Sequence, residues 1–82
     1  EARQALSKKR KSQQAVIDKS EVRISSLEKR RAVIAGLLEQ SETYSAGGQA
    51  QQLNRELMEI NNELDQLNDR WSVAVDALNA IT

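Results

Sequence analysis

The sequence predicts an all-α fold, a two-helix antiparallel coiled-coil hairpin, and three observations carry that expectation. The 82 residues contain no Pro and only three Gly, so little in the chain interrupts a helix. Aromatic residues make up 2% of the chain, which leaves little material for a sheet. The second half repeats apolar residues at alternating spacings of four and three, the period of a coiled-coil seam. At this length one small domain is expected, residues 1–82, with no room for a large globular core.

The first helix is expected over about 4–42. Ile17, Ile24 and Leu38 fall at heptad position a, and Leu6, Leu27 and Ile34 at d. Arg10, Gln13, Ser20 and Arg31 interrupt the pattern, and the apolar density thins toward the N-terminus. Gly36 falls on the outer face, where it costs about 1 kcal/mol relative to Ala without breaking the seam.

The turn is expected over about 43–48 and contains the one Gly-Gly pair, Gly47 and Gly48. "SAGGQA" lacks the Lys-Ser/Thr ending of a phosphate-binding loop, and no strand precedes it. Its glycines are therefore expected to supply the positive φ needed to reverse the chain. Tyr44 is expected to cover the last core layer with its hydroxyl in water.

The second helix is expected over about 49–80. Leu57, Leu64, Trp71 and Leu78 occupy a, while Leu53, Ile60, Leu67, Ala74 and Ile81 occupy d, an unbroken apolar seam. In an antiparallel pair, a layers face d layers. One register sets Leu38 opposite Leu53, Ile34 opposite Leu57, Leu27 opposite Leu64 and Ile24 opposite Leu67. It also places small Ser20 against bulky Trp71 and Ile17 against small Ala74, the alternation that fills a narrow core. On one flank the same register expects Arg30 to meet Glu63 and Arg23 to face Arg70, the latter unfavourably.

Catalysis finds no support in this composition. The chain has no His and no Cys, so the commonest general base, the thiol nucleophile and the usual zinc ligands are absent. Glu56, Glu59, Glu63 and Asp65 read as a solvated helix face rather than an acid–base couple. A two-helix hairpin also offers no substrate-sized cavity. No enzyme activity, metal or cofactor is expected. No apolar run approaches the roughly 18 residues of a membrane span, and no signal-peptide pattern opens the chain, so no membrane partner is expected. The chain opens "EARQALS" without Met, as a piece of a longer protein would.

The zero net charge conceals an asymmetry. Residues 1–41 hold ten Lys/Arg against five Asp/Glu, and residues 42–82 hold two against seven. Attraction between the two helices is one explanation, and contact of the basic half with a polyanion is the other. Three features are candidates for binding. "KKRK", Lys8 to Lys11, surrounds the first helix at the open end of the hairpin, as phosphate contacts without base readout require. "EKRR" places Lys29 outward, while Arg31 enters the seam and is expected to extend its guanidinium toward Glu59 or Glu63. An outer stripe of Val22, Ser26, Lys29 and Val33 is a possible protein-docking patch. Trp71 reads as core filler rather than a base-stacking platform, because stacking proteins carry several exposed aromatics.

The succession "ISSLEKRRAVIAGLLEQSETY", a short turn, then "LNRELMEINNELDQLNDRW" resembles the C-terminal coiled-coil hairpin of ABC-F ATPases. Ile24, Leu27 and Glu28 match the family's opening element, Tyr44 its turn and Arg70-Trp71 its closing element, with "KKRK" at the place of its basic linker. The resemblance implies an accessory, C-terminal domain of a cytoplasmic bacterial ATPase that acts on ribosomes or DNA. The ATP-binding motifs would lie elsewhere in that protein. It implies sequence-independent docking on DNA or ribosomal RNA through Lys8, Lys9, Arg10, Lys11, Lys19, Lys29 and Arg30. A rival reading is a free-standing hairpin that binds protein through the Val22/Val33 stripe or the thin seam around Leu6 and Gln13. A spectrin-like fragment is the third, on the strength of Trp71 in a long helix, but it lacks a third helix.

Overall fold

The computed structural model describes residues 2–44 and 49–81. Two helices make a helical hairpin: α1 spans Ala2–Leu38 and α2 spans Gln49–Ile81, with a single 3-10 turn, Ser41–Tyr44, between them. The molecule is a rod of 65 × 15 × 15 Å. Gly47 and Gly48, expected to make the reversal, lie outside the described residues.

The core is the seam that the heptads specify. Leu27, Ile34, Ile60, Leu64 and Leu67 form one buried cluster, with Ile24, Leu38, Leu53 and Leu57 packed against it. Ile34 is 0% exposed, the most enclosed side chain described. Ile17, Ser20 and Ala74 continue the buried line toward the open end. Leu27 lines one flanking groove with Ile60, and Ile24 lines the opposite groove with Trp71. These grooves bracket the expected levels, since Ile60 lies four residues to one side of Leu64 and Trp71 four residues to the other side of Leu67. Past Ile17, toward the N-terminus, the side chains of residues 3–16 are exposed apart from half-buried Gln13, and Leu6 is among them.

Two expected core features differ. Trp71 remains 37% exposed at the seam's edge, beside Glu21, Ile24, Ser25, Glu28 and Asn68. A seam of two helices is narrow and has no second layer over it. Small Ala74 disappears into it, whereas an indole, with some 150–250 Å² to bury, projects past it. Arg31 is exposed, and among the described residues no ion pair joins it to Glu59 or Glu63.

α1 also ends four residues sooner than expected. Beyond Leu38 the next d position is Ser41, so continued helix would bury nothing, while Ser and Thr compete for nearby backbone carbonyls. The chain instead tightens. Glu39 N donates to Gly36 O at 3.3 Å, Gln40 N to Leu37 O at 3.1 Å, and Thr43 N to Gln40 O at 3.2 Å. Thr43, 4% exposed, donates its hydroxyl to Leu37 O, and Tyr44 donates its hydroxyl to Leu38 O at 2.7 Å. These bonds satisfy carbonyls that a helix end leaves without partners. The Tyr44 hydroxyl is therefore a cap rather than a group in water, and the ring is 61% exposed rather than a lid.

Ile34→Ala should cost about 2–5 kcal/mol in urea unfolding, because it empties the centre of the seam. Thr43→Val should cost about 0.5–1.5 kcal/mol by the same measurement, and exposed Val22→Ala should stay within about 0.5 kcal/mol.

Candidate nucleic-acid interface

Each helical residue turns the side chain by about 100°, so Lys8, Lys9, Arg10 and Lys11 leave α1 in four directions. All four are exposed, as are Lys19 and Lys29. Among the described residues none of the six takes part in an ion pair. Lys8, Lys11, Lys19 and Lys29 share the outer face, opposite the Ile17/Ile24 seam. Lys9 faces the flank of Val16 and Arg23, and Arg10 stands at an a position, on the seam side. Asp18, the carboxylate next to Lys19, accepts a hydrogen bond from Gln14 Nε2 at 3.0 Å. Lys29 borders a shallow groove with Glu21, Val22, Ser25 and Ser26.

Arg30 belongs to a different arrangement. Its Nε and Nη2 donate to the two Glu56 carboxylate oxygens at 2.5 and 3.1 Å. Arg23 makes the same fork on Glu63, at 2.5 and 3.0 Å. Arg30 was expected to contact phosphate, but its planar fork is already occupied by a carboxylate. The partners differ too: Arg30 meets Glu56 rather than Glu63, and Arg23 meets Glu63 rather than Arg70.

The reason is reach combined with charge. A g-position Arg can extend to the g residue of α2 on either side of its own level. Reaching away from the turn gives one attractive pair and one Arg–Arg repulsion. Reaching toward the turn gives two attractive pairs, and the structure takes that choice. The sequence carries the signal in Arg23 and Arg30 spaced by seven and in Glu56, Glu63 and Arg70 spaced likewise. Reading it requires comparing both directions of reach.

The hydrogen bonds from Arg30, and then its charge, hold the Glu56 carboxyl below its usual range against some desolvation. Glu63 is lowered by Arg23 in the same way, with a further contribution from the charge of Arg70. Among the described residues no group of three or more carboxylates could hold a metal ion, and no helix is long and apolar enough to cross a membrane.

Val22 and Val33 are 72% and 51% exposed, but Lys29 stands between them, so they form no continuous apolar patch. A second exposed apolar pair, not singled out from the sequence, is Val16 and Val73, which line one groove with Arg70 and buried Ala74.

A family model described as the ABC transporter C-terminal domain matches residues 6–73. The chain belongs to this family. The match runs from Leu6, just before "KKRK", to Val73, just past Arg70-Trp71, and so takes in both helices and the turn. Neither the curated proteins nor the solved structures gave a match.

Because the folded state lowers both carboxyl groups, the two pairs stabilise the hairpin above the ordinary carboxylate pKa of 4.5. That stability is lost as pH falls through the depressed folded values. Thermal melts should therefore show an acid limb below about pH 4.5 that flattens in the double variant Glu56→Gln/Glu63→Gln. It should also shrink in 1 M salt, since both pairs are solvent-exposed.

Proposed function

We propose that this chain is a non-catalytic accessory domain of an ABC-F-type cytoplasmic ATPase, and that it docks electrostatically on DNA or ribosomal RNA. The observation that carries this reading is the division of the cations on α1. Arg23 and Arg30 are consumed by Glu56 and Glu63, whereas Lys8, Lys9, Arg10, Lys11, Lys19 and Lys29 are exposed and make no ion pair among the described residues. A helix that needed its charge only to hold its partner would leave fewer cations unused. Exposed cations without base-reading side chains suit sequence-independent binding to phosphates, driven by counterion release. α2, with seven of the twelve carboxylates in the half that contains it, is the structural partner and faces away from the polyanion.

Membership of the ABC transporter C-terminal domain family supports the link to an ATPase, whose ATP-binding cassettes would lie in another part of the parent protein. The protein-docking alternative loses weight because Lys29 interrupts the Val22/Val33 stripe.

Titration with nucleic acid across salt concentrations tests the docking. The affinity should fall steeply with salt, and Ala substitution at Lys8 to Lys11 should flatten the log–log slope by about 0.9 for each phosphate that is no longer neutralised. An affinity independent of salt would sink this reading. An antibody against the chain should detect a native product several times larger than 9.2 kDa in its source cell. A band near that mass would remove the ATPase-appendage reading.

A further inference from the structure

The two flanks of the seam differ in how their charge is balanced. On one, Arg23 holds Glu63 and Arg30 holds Glu56. The other carries Glu21 and Glu28, which line a groove with Ile24, Ser25, Asn68 and Trp71. The α2 positions that face these glutamates hold Asn61, Asn68 and Val75, so the hairpin offers them no cation there. Both glutamates are exposed, and among the described residues neither makes an ion pair. Between them the indole of Trp71 stays 37% exposed, with half-buried Val75 one turn further along α2.

The cation that this flank lacks lies further along its own edge. Lys11, Asp18 and Ser25 are seven residues apart and share one row of α1, and Ser25 lines the groove. Lys11 therefore stands at the open end of the flank, with Glu21 and Glu28 nearer the turn. Between them Gln14 donates to Asp18 of its own chain at 3.0 Å. A surface that is basic at one end and acidic at the other matches itself when a second copy is turned end for end. A two-fold contact sets residue i on residue j and j on i, so each favourable pair is made twice.

An axis midway between Lys11 and Glu21 lays each Lys11 on Glu21 of the second copy. In the seam register the level of that axis on α2 is Val75, so the two Val75 side chains meet. The open edge of each Trp71 then lies against the Leu78 turn of the other copy. Overlap runs about 36 Å along α1, over residues 4–28, but only about 18 Å along α2, which ends at Ile81. Such a contact belongs to the small, reversible end of protein interfaces.

We propose that the Trp71 flank is a self-association surface, on which two hairpins pair antiparallel through their open halves. Lys11 of each copy meets Glu21 of the other, and both indoles are covered. The contact needs no nucleic acid, leaves the Arg23 and Arg30 flank untouched and keeps Lys19 and Lys29 outside.

Sedimentation equilibrium of the full 82-residue chain tests it, over about 10 μM to 1 mM, the range suited to a weak reversible contact. The mass should climb from 9.2 kDa toward twice that value, and Trp71 fluorescence should shift to the blue over the same range. Lys11→Glu and Glu21→Lys should each weaken association by about tenfold or more, because each sets like charges together twice. The double variant Lys11→Glu/Glu21→Lys exchanges the partners and should restore it. Val73→Glu, on the opposite flank, should change nothing, and circular dichroism verifies that each variant is folded. A single 9.2-kDa species at every concentration would overturn the proposal. So would a dimer that either charge reversal leaves intact, or one that the double variant fails to restore. Loss of the dimer in Val73→Glu would also overturn it, by placing the contact on the Val16/Val73 flank.

Discussion

The packing of Leu27 and Ile34 against Ile60, Leu64 and Leu67 is the interaction on which the rest of this hairpin depends. A two-helix rod has one buried line per helix and no second layer. Each side chain off that line is at a flank or in solvent, and its direction follows from its place in the heptad. The seam thereby assigns roles to residues it never touches. It sends Lys8, Lys11, Lys19 and Lys29 outward, sets Arg23 and Arg30 on a flank, and leaves Trp71 half-covered because nothing packs over its open side.

Electrostatics then works within the geometry that the seam allows. The chain is neutral as a whole, but its halves differ by sign, and the two ion pairs join basic α1 to acidic α2 at one flank. Because both pairs are exposed, they select a register and direction of reach more than they add stability. The Arg23–Glu63 and Arg30–Glu56 choice avoids placing Arg23 against Arg70. It also separates two populations of cation: those neutralised inside the hairpin, and those left available to an external polyanion.

Much of the fold was legible because its signals are periodic. The apolar heptads of α2 placed Ile60, Leu64, Leu67 and Ala74 in the core, and the weaker frame of α1 placed Ile17, Leu27 and Ile34 there. The candidate interface was legible in part. Lys8, Lys11 and Lys29 stood out in the residues themselves, Lys19 came only with the family resemblance, and all four are exposed. Arg30 could not be sorted from them, since an Arg on a helix looks the same whether it waits for a phosphate or already holds a carboxylate from the other helix. The end of α1 was also obscure, because the Thr43 and Tyr44 hydroxyl bonds to Leu37 and Leu38 depend on a fold-back that has no heptad signature.

The two helices, the seam between them and the division of charge are written in the order of residues alone. Each of these follows from residue type and spacing along a single helix, where geometry is fixed at 3.6 residues per turn. Which cations are engaged, how far Trp71 is covered and what satisfies the carbonyls at the end of α1 emerge when the helices pack. Those outcomes depend on distances between groups far apart in the chain. They are set when the second helix arrives, because a flank Arg has two heptads within reach and chooses by the charge it finds there.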